Sequence, residues 1–179
     1  VSALVSAYDV VARESQVAKV KTIGDAYWAI SGLPEPTPEC ATYICNFALR
    51  QQEILRELNA ENKKWGGIHL RVGCHTGKLA GGLLGTQQLS YEVFGETNVI
   101  AEEHEQRAPS GGVLVSQQTM ERVVQSGLYT FVDHSEVEIN GYKTYVVSRA
   151  TASYGQEEDQ QHRVAAATES GESARRPAY

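Results

Sequence analysis

Three cysteines in 179 residues, Cys40, Cys45 and Cys74, are too few and too irregularly spaced to form a disulfide framework. They also exclude a redox CxxC or a zinc knuckle, and they suit a reducing compartment. The five histidines (His69, His75, His104, His134, His162) include no HExxH and no paired ligand spacing, so no structural zinc site is expected. No apolar run approaches the ~20 residues that span a bilayer. No secretory leader is expected either, because no basic start precedes an apolar core. Basic residues are outnumbered 16 to 22 by acidic ones, and the net charge of −6 argues against general nucleic-acid binding. The chain opens at Val1, without an initiator Met and inside a helical pattern. It therefore reads as a fragment whose parent protein is free to be membrane-anchored.

What is present is ordinary for one soluble domain, with 41% hydrophobic and 21% charged residues. Val1, Leu4, Val5, Tyr8 and Val11 fall at helical spacing. Two strand-like runs, VAKVKTI and AYWAI, then meet across Gly24-Asp25, and a proline-rich loop, SGLPEPTPEC, follows. A long helix is expected from Glu39 to about Lys64, with Ile44, Phe47, Ala48, Leu55 and Leu58 buried and Gly66-Gly67 ending it. IHLRVGCHTG alternates like a strand, and KLAGGLLGTQQLSYEVF reads as a turn-rich connection into another. Helices are expected at Thr97 to Arg107 and Gln117 to Gln125, flanking the short buried strand GGVLVS. GLYTFVD and EVEINGYKTYVVS close the domain, the latter turning at Asn140-Gly141. This order predicts an α+β sandwich, a mostly antiparallel sheet with helices over one face. Residues 150–179 lose the pattern and are expected to form a disordered tail or linker.

Few positions announce chemistry. Asp25, at the tip of a tight turn, is either turn chemistry or a carboxylate presented to a metal ion. A lone carboxylate is a poor magnesium site, and no second acid is evident beside it. The stretch GCHTGK is one residue short of a phosphate loop and lacks the following Ser or Thr, so it is not one. Lys19 and Lys21 alternate on one strand, where the plain expectation is a solvated edge. Arg71 sits in an otherwise apolar run, and a guanidinium there wants an anion. Glu102, Glu103 and Glu105 beside His104 read as a charged helix face.

Taken together, KVKTIGDAYWAISGLPEP, LRVGCHTGKLAGGLLG and YEVFGETNVIAEEHE resemble the class III purine nucleotide cyclases, the adenylate and guanylate cyclase catalytic domains. The resemblance runs from about Val1 to Val147, within a catalytic domain expected over residues 1–149. It implies a ferredoxin-like βαββαβ core with extra hairpins, its N-terminal strand missing from this fragment, and a head-to-tail dimer with a second cyclase domain. It also implies two divalent ions, Mg²⁺ or Mn²⁺, and a cytoplasmic location. The reaction is in-line attack of a ribose 3′-hydroxyl on the α-phosphorus, releasing pyrophosphate. An acidic chain is compatible with such a substrate, because bound cations neutralise its phosphates.

Residue by residue, Asp25 matches one of two metal-binding aspartates, the other lying upstream of Val1. Ile23 and Gly24 would add backbone beside it, and Arg71 matches an arginine that reaches the polyphosphate. The Asn and Arg of active partner halves fall here at Val99 and Glu103; shifting by one residue recovers Asn98 but leaves Glu102 in place of the Arg. The fragment alone is therefore expected to be inactive, as the metal-binding half of a heterodimer. A regulatory pseudo-cyclase is the alternative. Lys21 and Glu92 occupy base-recognition positions and resemble the adenine pattern, favouring ATP over GTP. In a metal-binding half, though, they face the second, degenerate pocket, where they could hold a regulator or simply pair with each other.

Overall fold

Short apolar runs separated by glycine and proline give eight strands and four helices, which a computed structural model describes over residues 2–61, 67–134 and 136–151. In chain order these are α1 (Ser2–Glu14), β1 (Ala18–Ile23), β2 (Ala26–Ile30), α2 (Cys40–Glu61), β3 (Val72–Cys74), β4 (Ala80–Leu84) and β5 (Ser90–Phe94). Then come α3 (Glu96–Arg107), β6 (Val113–Ser116), α4 (Gln117–Val123) with a short 3₁₀ turn (Val124–Ser126), β7 (Tyr129–Asp133) and β8 (Thr144–Arg149). Lys64, Gly66 and all of the expected tail except its first two residues lie outside the described residues.

The strands form three sheets. β1 and β2 make one hairpin, β4 and β5 another, and a four-stranded sheet runs in the order β3-β6-β8-β7. Every described pairing is antiparallel except β3 with β6. That parallel pair needs a crossover, which the β4–β5 hairpin and α3 supply. The fold is α+β with mostly antiparallel sheets, as expected.

Helices cover both faces of the four-stranded sheet, where the sequence pattern suggested one. Ala41, Cys45, Ala48 and Leu49 of α2 pack on Cys74, Val113, Val115 and Val147, with Val123 of α4 and Tyr129 closing the cluster. On the opposite face Ile100 and Ala108 meet Leu114 and Ile139, with Val146 beside them. Every residue of β6 is buried, because alternate side chains point into two different cores. A third cluster joins α1 to α2 through Tyr8, Ala12, Phe47 and Ile54, backed by Tyr27.

Two sequence expectations need revision. The run from Lys78 to Phe94 is a full hairpin, in which Ala80 to Leu84 pair with Phe94 to Ser90. Gly81 and Gly82 hid its first strand, since glycine is a weak strand former. Tyr91 explains their tolerance: a Cβ on Gly81 would lie 2.2 Å from its hydroxyl, so the ring occupies the space a side chain would take. Conversely, IHLRVGCHTG yields only three strand residues. The Asn140-Gly141 turn forms as expected, with positive φ at both positions (51° and 75°) and Ile139 bridged to Tyr142.

Candidate active site

The β1–β2 hairpin fixes where Asp25 stands. Ile23 pairs with Ala26, leaving only Gly24 and Asp25 in the turn. Gly24 takes the left-handed backbone (φ 60°) that lets two strands reverse in so little chain. Ile23, Gly24 and Asp25 are all exposed, and a Cβ added at Gly24 would meet nothing within 4 Å. Among the described residues Asp25 has no hydrogen bond or ion pair, so the fold itself makes no use of its carboxylate.

A divalent ion can be tested against that donor set. No group of three His, Cys, Asp or Glu ligands occurs among the described residues. One open carboxylate does fit an ion that brings phosphate oxygens with it and finds another acid elsewhere, which is the ordinary habit of magnesium. Asp25 therefore qualifies as one ligand of a shared site.

Arg71 stands just ahead of β3, exposed rather than within an apolar strand. Its anion within the fold is Glu105 on α3, whose Oε1 lies 3.1 Å from Nε and 3.0 Å from Nη2. Half of the Arg71 side chain remains accessible, so the pair is a surface bridge that an incoming polyanion can compete for. The structure does not bring Arg71 into contact with Asp25.

Lys19 and Lys21 do not line a free edge. A bulge between them re-aims the strand, so the two ammonium groups reach different elements. Lys19 meets Asp9 of α1 at 2.9 Å and lies over the Tyr27 ring. Its hydrogen bond to Asp9 is the main influence holding that carboxyl below the usual range, and Tyr27 donates to the same group at 2.8 Å. Lys21 crosses to β5, where its Nζ lies 2.7 Å from Glu92 and 5.4 Å from the Trp28 ring centroid. That hydrogen bond likewise lowers the Glu92 pKa. The two base-recognition candidates thus come together, and they satisfy each other.

On α3, Val99 is exposed, half-accessible at 54%, and Glu103 is half-buried. Asn98 does not substitute for an outward-facing amide: its Nδ2 donates to the Val93 carbonyl at 3.0 Å, bracing the β5–α3 corner. Thr97 does the same on the other side, donating to the Lys78 carbonyl at 2.7 Å. Gly95 starts the helix with φ 141° and tight against the Lys78 carbonyl. This corner fixes Val99 rather than Asn98 as the position that faces outward.

The expected charged face on α3 is interrupted. His104 is completely buried, stacked on His75 with centroids 6.0 Å apart. Gly73 sits so close beneath the helix that an added Cβ would fall 2.1 Å from the Glu105 amide nitrogen. Sequence reasoning missed the burial of His104, whereas the glycines of the GCHTG stretch are expected to allow close backbone packing or a bulge, as Gly73 does. The lone Gly between Val72 and Cys74 was the available signal, since glycine within a strand marks a close backbone approach.

The sequence profile described as the adenylate and guanylate cyclase catalytic domain matches residues 1–149, and the chain belongs to that family. It is 36% identical over 139 residues to soluble guanylate cyclase gcy-31 of Caenorhabditis elegans, covering 74% of this chain and 20% of that protein. It is 27% identical over 151 residues to an adenylate cyclase of Mycobacterium tuberculosis, covering 83% of this chain and 34% of that one. Among solved structures, the guanylate cyclase domain of RhGC from Catenaria anguillulae in complex with GTP superposes with a TM-score of 0.73 at 29% identity, over 84% of this chain and 82% of that one. The chain spans about a fifth of the length of gcy-31. Catalytic domains of this family work with divalent metal ions and purine nucleoside triphosphates.

Proposed function

We propose that this domain is the metal-binding half of a heterodimeric purine nucleotide cyclase, converting ATP to 3′,5′-cyclic AMP and pyrophosphate. The observation that carries this reading is the asymmetry between two positions. Asp25 is open, uncommitted and held on a tight turn, whereas the α3 surface offers Val99 and Glu103 where a complementary half needs an amide and a guanidinium. In this reading Asp25 takes a metal ion, with Ile23 and Gly24 contributing backbone, and Arg71 leaves Glu105 to engage the polyphosphate. Bound metal would lower the pKa of the ribose 3′-hydroxyl and neutralise the triphosphate. The second metal aspartate is expected from sequence preceding Val1, and the partner domain supplies the missing Asn and Arg.

The test is complementation. A chain extended upstream through that aspartate should turn over nucleotide only when mixed with a cyclase domain carrying Asn and Arg. The 179-residue chain alone should show no appreciable turnover. Robust activity from the isolated chain would overturn the assignment, and an upstream segment without an acid would favour a regulatory pseudo-cyclase.

Preference for ATP rests on Lys21 and Glu92 resembling an adenine-type pair, and assays with both nucleotides decide it. The alternative product is cyclic GMP, supported by the guanylate cyclase named for gcy-31 and by the GTP held in the RhGC domain. In a metal-binding half the partner's residues choose the base. Lys21→Ala should accordingly change kcat/KM less than threefold or so in the completed enzyme, since it breaks only a half-buried ion pair and a contact with the Trp28 ring. A large loss, or a switch of base preference, would place base recognition in this chain instead.

A further inference from the structure

The histidine pair between α3 and β3 plays no part in the proposed chemistry, yet its geometry is unusual. His104 is fully buried, and its Nδ1 lies 2.6 Å from the Ile100 carbonyl. Nδ1 therefore carries the proton and donates it, which makes Nε2 the acceptor nitrogen. That Nε2 is buried with no hydrogen-bond partner. A proton arriving there would create an N–H with nothing to receive it and a charge with no water around it.

His75 follows β3 directly and stacks on His104 with an interplanar angle of 19°. Its Nδ1 lies 2.8 Å from Ser116 Oγ, which meets Thr119 at 3.1 Å, and Thr119 meets Thr76 at 2.9 Å. This chain of hydroxyls orients the ring without offering it a negative charge. Two imidazolium rings facing each other at this distance would repel.

The charged surroundings do not relieve that. On α3 itself, Glu103 and Arg107 act on His104 in opposite senses, and Arg107 is tied to the Glu138 carbonyl of the segment ahead of β8. Arg71, ahead of β3, is matched by Glu105. Lys78 meets α3 through its carbonyl, which Thr97 engages. The sheet side of this core presents Leu114, Ile139 and Val146, none of them ionisable.

We propose that the His75–His104 stack is a proton-sensitive latch, holding α3 against β3 while both rings are neutral and loosening that contact when either is protonated. Burial lowers both pKa values, that of His75 to about 4, with the facing His104 adding to the effect. The sign follows from linkage. The open chain takes up protons as pH falls through the ordinary histidine value near 6.5, whereas the docked His75 does not until about pH 4. Stability is therefore complete above about pH 6.5 and is lost progressively below it. Because α3 carries Val99 and Glu103, acidification should also weaken pairing with a partner half. That last consequence rests on the proposed function; the latch does not.

The experiment needs neither nucleotide nor partner. The full chain is unfolded with urea at pH 7.0 and 5.0, beside the His75→Asn/His104→Met double variant, and the wild-type imidazole resonances are titrated by NMR. For a histidine moved from 6.5 to about 4, the unfolding equilibrium constant should rise on the order of 20-fold between those pH values. The double variant should lose most of this dependence, one imidazole resonance should stay neutral below pH 5.5, and a second should titrate below the ordinary histidine range. An unchanged pH slope in the double variant, or titration of all rings near 6.5, would overturn the latch. If the double variant does not fold, the wild-type resonances decide the matter alone.

Discussion

Asp25→Ala should lower turnover of the completed cyclase by about 10³-fold or more while leaving assembly with its partner intact. The magnitude follows from the role assigned to the carboxylate. Removing one preorganised charge-stabilising group typically costs ~10²–10³ in rate, and losing a metal ligand removes metal-centred stabilisation together with substrate positioning. The selectivity follows from the structure. Asp25 is exposed, it makes no ion pair or hydrogen bond among the described residues, and the turn depends on Gly24 rather than on it. Its removal therefore takes no contact from the fold, and a rate loss would report chemistry alone. Three readouts check this together: initial rate, co-elution with the partner, and the increase in nucleotide affinity on adding Mg²⁺. The variant should keep the second and lose much of the first and third. Turnover within tenfold of the parent would return Asp25 to the status of a turn residue.

Elements whose residues carry their own reasons were legible from sequence. The β1–β2 hairpin announces itself through β-prone runs around Gly24-Asp25, and the second half of the domain through Asn140-Gly141. The long α2 was readable because its apolar spacing repeats over six turns, although Gln51 and Gln52, polar by type, are buried with it. Gln52 shows why: its amide donates to the carbonyls of Leu70 and Gly112, so a polar side chain ties the helix to a neighbouring strand pair. Such a bond joins residues far apart in the chain and leaves no local trace. Glu105 and His104 fail for the same reason. Their neighbours on α3 suggest a solvated face, but the partners that define them, Arg71 and His75, lie about thirty residues earlier. The Lys21–Glu92 pair was legible only as a possibility carried by family resemblance, and its closure at 2.7 Å is a fact of tertiary structure.

The second large effect is structural, and it concerns the residue on which α3 rests. Gly73→Ala places a methyl group 2.1 Å from the Glu105 nitrogen, 2.4 Å from the Ala101 oxygen and 2.7 Å from the Glu105 Cα. All three are backbone atoms of one helix, so no side chain can rotate away. Relief requires α3 to move by more than an ångström, against a core where Ile100 is buried on Leu114 and Ile139. Overpacking a well-filled interior costs ~1–3 kcal/mol and sometimes more. The rigid contact puts this case at the top of that range, while replacing glycine within a strand returns only about 0.5–1 kcal/mol. The net loss should be about 2 kcal/mol or more, which lowers Tm by roughly 4–8 °C for a domain of this size. Gly82→Ala is the matched control, because a Cβ there meets nothing within 4 Å; with the strand gain unopposed, its Tm should hold or rise by roughly 1–4 °C. The two substitutions add the same atom to the same kind of residue, so a difference between them isolates the helix contact. Displacing α3 should also stretch the Arg71–Glu105 bridge and part the histidine stack, both of which span the same junction. Amide exchange along Thr97 to Glu105 should then accelerate in Gly73→Ala and not in Gly82→Ala. Equal melting temperatures for the two variants would mean that α3 slides freely on β3, and the helix could not then hold Val99 and Glu103 in a fixed place for any partner.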